Sequence, residues 1–293
     1  VIVVILILCD SILILGGTGM AGHTISLYFI EKGYNVTTFS RKPFPFCNNI
    51  IGDAKDLSFL NKVIADNSYD VIINCIGILN LDAENNQYSA ILLNSLLPKA
   101  IVEWTKNTKT KFIHMSTDCV FAGNTGPYSE NSIPDGISIY DRTKALGEIN
   151  DSKNLTFRNS IIGPDMNPNG IGLFNWFMKQ KKPIIGYSEA IWTGVTTLTL
   201  AKAMEHAINQ NLTGLYNLVN NDSISKYDLL NLFNKFFRDS SIDITKSSQI
   251  KLDKTLLNTR SDFSFLIPSY EKMISEMHNW VINHKDIYPE INL

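Results

Sequence analysis

Short apolar runs alternate along the chain with stretches whose apolar residues recur every three or four positions. Residues 11–15, "SILIL", read as a first strand, and 20–33 read as a helix that Gly33 closes. Residues 34–40 follow as a strand, 56–66 as a helix, 70–77 as a buried strand, 90–105 as a helix and 111–116 as a strand. A helix over 138–150 and a strand over 155–161 end the series. Strands rich in β-branched residues, separated by helices, predict an α/β fold with a doubly wound parallel sheet covered on both faces.

After Gly163 and Pro164 the pattern changes to a loop rich in Pro, Gly and Asn, then to helices over 172–180, 196–210 and 226–238. In the last of these Leu229, Leu230, Phe233, Phe236 and Phe237 share a face, and Tyr270, Met273, Ile274, Met277 and Val281 do so in a final helix. Such stripes read as core packing. The expected organisation is a sheet domain over 11–165 and a smaller, mainly helical C-terminal substrate lobe over 166–293, with about 190–220 returning to the sheet domain. Ligands of such sheets bind at the carboxyl ends of the strands, so the cleft between the two parts is the expected substrate site. Residues 1–10 begin without Met, run apolar for eight positions and then reach Cys9 and Asp10. Eight residues are too few to span a bilayer, and no basic start or small-residue cleavage site is present. They read as an atypical or appended segment.

Composition narrows the function classes. The chain has 293 residues, 44% of them hydrophobic, enough for a sizeable core. A net charge of −2 argues against nucleic acid as a partner, and no membrane insertion is expected. Cys9, Cys47, Cys75 and Cys119 are scattered without a CxxC pair, and the five histidines lack ligand spacing. No metal site is expected, and reduced thiols fit a cytoplasmic protein.

Between the first strand and its helix stands "LGGTGMAGH", with Gly16, Gly19 and Gly22 spaced as G-x-x-G-x-x-G. Glycines allow the backbone to approach a pyrophosphate, and the helix N-terminus offers free N–H groups to it. In this strand–helix context the loop predicts a Rossmann-type dinucleotide site, with Gly16, Thr18, Gly19, Met20 and Gly22 as contacts. An NAD site usually has an acid at the end of the second strand. Here Ser40 and Arg41 stand there, suited to a 2′-phosphate, so NADP(H) is expected, with NAD(H) less favoured. Asp53, followed by Ala54, is a candidate for the adenine amino group, and an N-cap role for a nearby acid is the alternative.

Tyr140 and Lys144 lie four residues apart, hence on one face of a helix. An ammonium about 4 Å from a phenol supplies ~4 kcal/mol at an effective dielectric of ~20, enough to bring a group of pKa ~10 toward neutrality. The glycine loop, "GDAKD", "DVIINCIG", "FIHMSTDCVFAG", "GPYSE" and "YDRTKALGE" together resemble an extended short-chain dehydrogenase/reductase, more closely the dTDP-4-dehydrorhamnose reductase branch of nucleotide-sugar reductases. The resemblance runs from about Ser11 through nearly the whole chain. It implies that Thr117, Tyr140 and Lys144 form the catalytic set. It also implies that Cys75, Ile76 and Gly77 line the cofactor, that Asn94 supports that site, and that Tyr140 and Lys144 meet the nicotinamide end. The chain departs from the family in carrying Cys119 where Tyr is frequent and Asp141 where Gly is frequent.

The resulting expectation is an NAD(P)-dependent oxidoreductase that reduces the 4-keto group of a dTDP- or UDP-activated 6-deoxy sugar for surface polysaccharide biosynthesis. Tyr140 would protonate the alkoxide, and Thr117 would hydrogen-bond it, with Ser116 the runner-up. Asp82, Asp118 and Trp192 are candidate sugar contacts, Trp192 being equally a core residue. Arg158 is either structural or a phosphate ligand. The alternatives are a nucleotide-sugar epimerase or dehydratase, or a non-catalytic NADP-binding regulatory subunit. The assembly is left open, a homodimer included.

Overall fold

Strand β1 (Ser11–Leu15) shows why a covered parallel sheet forms. Ile12 and Ile14 enter one core while Leu13 and Leu15 enter another, and all four are fully buried. A strand with period two and apolar residues at both parities needs cover on both faces. The computed structural model describes residues 11–170 and 172–291. The reading of residues 1–10 as an appended segment lies outside them.

From β1 the chain passes through α1 (Met20–Glu31), β2 (Asn35–Ser40), β3 (Asn48–Ile51), α2 (Leu57–Ala65), β4 (Val71–Asn74), α3 (Asn80–Asn85) and α4 (Gln87–Ala90). A π-helical turn, Ile91–Leu96, joins α4 to α5 (Leu97–Thr105). There follow β5 (Lys111–Ser116), a 3-10 turn (Asp118–Val120), α6 (Ile139–Gly147) and β6 (Leu155–Arg158). The remainder comprises β7 (Ile161–Ile162), α7 (Leu173–Met178), β8 (Ile184–Trp192), β9 (Val195–Thr196), α8 (Thr197–Asn209), β10 (Gly214–Asn217), β11 (Ile224–Ser225), α9 (Lys226–Phe237), β12 (Ile244–Asp253) and α10 (Tyr270–Asn283).

Seven parallel strands stand in the order β10-β6-β5-β4-β1-β2-β3. The order reverses between β1 and β4, so a crevice opens beyond their carboxyl ends, where Gly16 and Cys75 lie. One core joins α1, α8 and α10 to the sheet through Ile25, Phe29, Met204 and Met277; the other packs α2 and α5 on the opposite face through Leu60, Val63, Leu97 and Ile101.

The structure departs from the sequence reading in several places. The strand expected over 70–77 stops at Asn74, because the Asn74 Oδ1 accepts from the Ile76 N–H at 3.0 Å and turns the chain. The expected helix over 90–105 begins at Gln87 and contains the π turn. The C-terminal lobe carries, beside its helices, a three-stranded sheet in the order β11-β8-β12. Strand β12, "ITKSSQIKLD", is mostly exposed and polar, so it has no apolar stripe to read.

Helix α6 is fixed at both ends. Ser138 Oγ accepts from the Asp141 N–H at 3.0 Å, and Asp141 Oδ2 accepts from the Ser138 N–H at 3.2 Å, a reciprocal capping box. The acid that departs from the family pattern thus starts this helix. At the other end Gly147 lies against the π turn, where a Cβ would stand 1.9 Å from the Asn94 carbonyl oxygen. Gly147→Ala is expected to lower stability by about 1–3 kcal/mol through overpacking. Urea denaturation reads this as a lower midpoint, and an unchanged midpoint would show that α6 has room to shift.

Candidate active site

The glycine loop owes its shape to three contacts. Gly16 takes φ +85°, a conformation that favours glycine, and its N–H donates to the Phe39 carbonyl at 2.8 Å. The Gly19 N–H donates back to the Gly16 carbonyl at 2.9 Å. Gly22 lies in the first turns of α1, where a Cβ would stand 2.1 Å from that same carbonyl. Glycine at these positions brings α1 close to β1, with Gly19 as its N-cap. His23, fully buried, ties the loop to the C-terminal segment: its ring nitrogens pair with the Gly19 carbonyl at 2.9 Å and the Tyr288 hydroxyl at 2.8 Å. Burial lowers its pKa to about 4, so the link is neutral.

Beyond the loop lies a cavity of about 810 Å³. Gly16, Thr18, Gly19, Ser40, Arg41, Asp53, Ala54, Cys75, Ile76 and Gly77 line it, with Lys42 and Lys55 at the Arg41 end. Arg41, Lys42 and Lys55 are exposed cations, against Asp53 and Asp165 as the lining acids, an excess of positive charge suited to phosphate. Asp53 Oδ1 accepts from the Lys55 N–H at 3.0 Å, whereas the N-cap of α2 is Asp56, which accepts from the Phe59 N–H at 2.9 Å. The glycine cradle, the elongated crevice at the switch point and this cationic end fit an NADP-type dinucleotide. Lys42, Lys55 and the 165–168 loop on the facing wall were not singled out in the sequence. Lys42 carried no motif, Lys55 stood within "GDAKD" without a role assigned to it, and the loop reaches the cavity only through tertiary packing.

Other expected cofactor contacts stand elsewhere. Met20 and Gly22 lie in α1 and are not among the lining residues. Ser40 does line the cavity, but its buried hydroxyl donates to the Lys42 carbonyl at 2.7 Å, so it shapes the turn that presents Arg41. Asn94 is fully buried in the π turn: its Oδ1 accepts from the Ile78 N–H at 2.8 Å, and its Nδ2 donates to Ile78 O at 2.9 Å and Thr143 Oγ1 at 3.1 Å. It holds the wall after β4 against α6 and supports the cavity from behind Gly77 and Ile78.

Thr117, Tyr140 and Lys144 are all buried where β5 ends against α6. The Thr117 hydroxyl donates to Asp118 Oδ1 at 3.1 Å and accepts from the Cys119 N–H at 3.1 Å. Lys144 Nζ donates to the Met115 carbonyl at 2.5 Å. Burial lowers its pKa to about 8, against the raising charges of Glu148 and Cys75. Its charge acts on Cys75, one of the residues that line the cavity. Burial pushes the Cys75 and Cys119 thiols up to about 12, so both are protonated and unreactive at neutral pH.

The expected lowering of the Tyr140 phenol by Lys144 is not what the structure shows. Burial raises the Tyr140 pKa, and Cys119, Asp118 and Asp141 add to the rise, while a hydrogen bond from Thr117 opposes it. The Lys144 amine is turned instead toward Met115, Glu148 and Cys75. Helical spacing put the two residues on one face but did not fix where the long lysine side chain ends.

Ser116 is also corrected: its hydroxyl donates to Glu148 Oε1 at 2.6 Å and is committed there. Arg158 is structural, gripping Glu148 through Nε at 2.8 Å and Nη2 at 2.7 Å, with both side chains buried. Asp82 is exposed in α3 and makes no side-chain hydrogen bond to Thr117 or Tyr140 among the described residues. Trp192 is 4% exposed, packs against Tyr270 with ring centroids 5.7 Å apart, and has Lys226 Nζ over its ring at 5.8 Å. Asp118 is buried beside Thr117; burial raises its pKa, while Lys226 and Lys254 pull it down. Among the described residues no group of three His, Cys, Asp or Glu is arranged to hold a metal, and no helix is long and apolar enough to cross a membrane.

The family model described as RmlD substrate binding domain matches residues 10–254. The Escherichia coli dTDP-4-dehydrorhamnose reductase is 23% identical over 295 residues, covering 92% of this chain and 97% of that one. The Xenopus laevis methionine adenosyltransferase 2 subunit beta is 31% identical over 140 residues, 46% of this chain and 41% of its own length, so the chain spans less than half of that relative. The crystal structure of dTDP-4-dehydrorhamnose reductase from Bacillus anthracis in complex with NADP superposes with a TM-score of 0.78 at 19% identity, covering 92% of this chain and 99% of that one.

The Lys144 environment has a measurable signature. Its amine titrates near 8 when folded and near 10.5 when unfolded. Below pH 8 the buried ammonium weakens folding. Between pH 8 and 10.5 the unfolded chain holds more protons, so this contribution to stability rises with pH. Lys144→Met lacks that rise. Its stability relative to the parent chain is expected to fall by about 2 kcal/mol between pH 7 and pH 10. Parallel stability curves for the two proteins would contradict a depressed lysine.

Proposed function

The chain belongs to the RmlD substrate-binding-domain family, and from that premise we propose that it uses NADPH to reduce the 4-keto group of a dTDP- or UDP-activated 6-deoxy sugar. The observation that carries the reading is that Thr117, Tyr140 and Lys144 are buried together where β5 ends against α6, while the neighbouring strand β4 runs out at Cys75 on a glycine-lined cavity. The family and the full-length relative named dTDP-4-dehydrorhamnose reductase support the reaction and the substrate class.

Residues 11–165 would hold the cofactor and 166–293 the sugar nucleotide, with about 190–220 belonging to the larger sheet through α8 and β10. The glycine loop would hold the pyrophosphate, and Arg41 with Lys42 and Lys55 the 2′-phosphate. NADPH supplies a hydride when bound. The protein's own part is proton delivery. A reduction needs a protonated acid, and burial keeps the Tyr140 phenol protonated at neutral pH. As negative charge develops on the carbonyl oxygen, Tyr140 Oη transfers its proton to it. Thr117 turns its hydroxyl from Asp118 toward the same oxygen. The phenolate left behind is stabilised once the Lys144 ammonium, still mostly charged at pH 7, turns from the Met115 carbonyl toward it. Tyr140 thus acts first as a neutral acid.

The proposal extends to a cytoplasmic setting and to surface polysaccharide assembly. A dehydratase is disfavoured by the single acid after Thr117, since Cys119 follows Asp118. A second reading, a non-catalytic NADP-binding subunit, is favoured by one observation, the 31% match to a protein named as a subunit of another enzyme. NADPH absorbance in the presence of dTDP- and UDP-4-keto-6-deoxy sugars separates the two. Oxidation with at least one sugar is expected, and none with any would favour the non-catalytic reading. Tyr140→Phe is expected to cut turnover by on the order of a hundredfold while leaving NADPH affinity unchanged. A near-normal rate in that variant would remove Tyr140 as the acid.

A further inference from the structure

Two segments 265 residues apart meet at one imidazole. His23, in the first turns of α1, and Tyr288, in the segment after α10, are both buried. Their partners fix which ring nitrogen carries the proton. The Gly19 carbonyl oxygen can only accept, so His23 Nδ1, 2.9 Å away, is the donor. The ring is neutral, so Nε2 presents a lone pair. The Tyr288 hydroxyl, at 2.8 Å, donates to it. Burial pushes this phenol up to about 12, which keeps it a donor at neutral pH. Its oxygen in turn accepts from the Trp280 indole N–H at 3.1 Å, a group that can only donate. Thr24 Oγ1 stands farther from Nε2, at 3.4 Å, and donates to the Met20 carbonyl. The donors therefore all point one way, from Trp280 through Tyr288 and His23 to Gly19.

The end of this chain of donors bears on the cavity. Gly19 is the N-cap of α1 and one of the lining residues. Its carbonyl accepts twice from His23, from the backbone N–H at 3.0 Å and from the ring. In a trans peptide the carbonyl and the following N–H point in opposite directions. A Gly19 carbonyl drawn toward the imidazole therefore holds the Met20 N–H, the first of α1, directed out of the helix end. Such an N–H is one of those that a helix offers to a pyrophosphate. Without a donor on Nε2 the ring is free to carry its proton there. Nδ1 would then turn a lone pair on the Gly19 carbonyl and repel it. A second tie, His284 Nε2 to Glu31 Oε1 at 2.6 Å, fastens the other end of α1 to the same C-terminal segment.

We infer that Tyr288 is a positioning residue of the cofactor site, holding the Gly19 peptide through His23 in the orientation that receives the pyrophosphate; the inference rests on the NADPH-binding reading above. Fluorescence titration with NADPH of the parent chain, Tyr288→Phe, His23→Leu and the double variant tests it. Tyr288→Phe is expected to weaken NADPH binding on the order of 10-fold in the parent background. Where His23 is already replaced, the same change is expected to cost nothing further. A tyrosine that served packing alone would cost the same in both backgrounds. The ring-nitrogen NMR spectrum of the parent chain gives a second readout, with the His23 signals identified by their loss in His23→Leu. It is expected to place the proton on Nδ1. Parental NADPH affinity in Tyr288→Phe, equal losses in the two backgrounds, or a proton on Nε2 would overturn the positioning role. A parent chain that binds no NADPH would overturn the cofactor reading and the positioning role with it. NADPH binding that depends on Tyr288 through His23, without oxidation by any 4-keto sugar nucleotide, would uphold the positioning role and overturn the reductase reading alone.

Discussion

An ammonium buried at the carboxyl end of a parallel sheet constrains everything around it. Lys144 has no solvent to hold its charge, so the chain supplies the Met115 carbonyl and the nearby Glu148 carboxylate. Glu148 is in turn anchored by Arg158 and Ser116, and Arg158 lies against the Phe121 ring at 4.9 Å. Removing one member of such a buried set leaves another charge without a partner, which is far costlier than losing a surface pair. The set joins the ends of β5 and β6 to α6, so the helix that carries Tyr140 has little freedom to move. Asn94 and Gly147 fix the same helix from its other side.

This arrangement separates binding from chemistry. The cavity's Arg41 end is open and cationic, suited to a phosphate that must arrive and leave. Near Cys75 the Thr117, Tyr140 and Lys144 side chains are buried, so the few polar groups there act in a low dielectric. Burial holds the phenol protonated and lowers the lysine, and both effects spring from one desolvated pocket. An acid that begins neutral suits reduction of a ketone.

Much of the sheet could be read in the sequence because β1, β4 and β5 are apolar at both parities and the helices between them keep one face. The glycine loop was legible for the same local reason, since its spacing and its strand–helix setting lie within a dozen residues. What could not be read depends on contacts distant in the chain. Strand β12 is recognisable only as the neighbour of β8, about sixty residues earlier, and its polar face gives no period. Ser116 and Thr117 are adjacent hydroxyls that the sequence could not tell apart; the structure separates them because Glu148 claims one. Spacing also misled over Lys144, since a shared helix face says nothing about the end of a flexible side chain.

The central claim is that one carbonyl carbon meets the glycine-loop cofactor and Tyr140 together. The most direct measurement uses NADPH carrying deuterium at the transferable position of nicotinamide C4, turned over with a 4-keto sugar nucleotide, and NMR of the product. The account predicts one deuterium bound to sugar C4, with the new hydroxyl proton drawn from water. Deuterium retained in the cofactor, or a product labelled anywhere else, would contradict it.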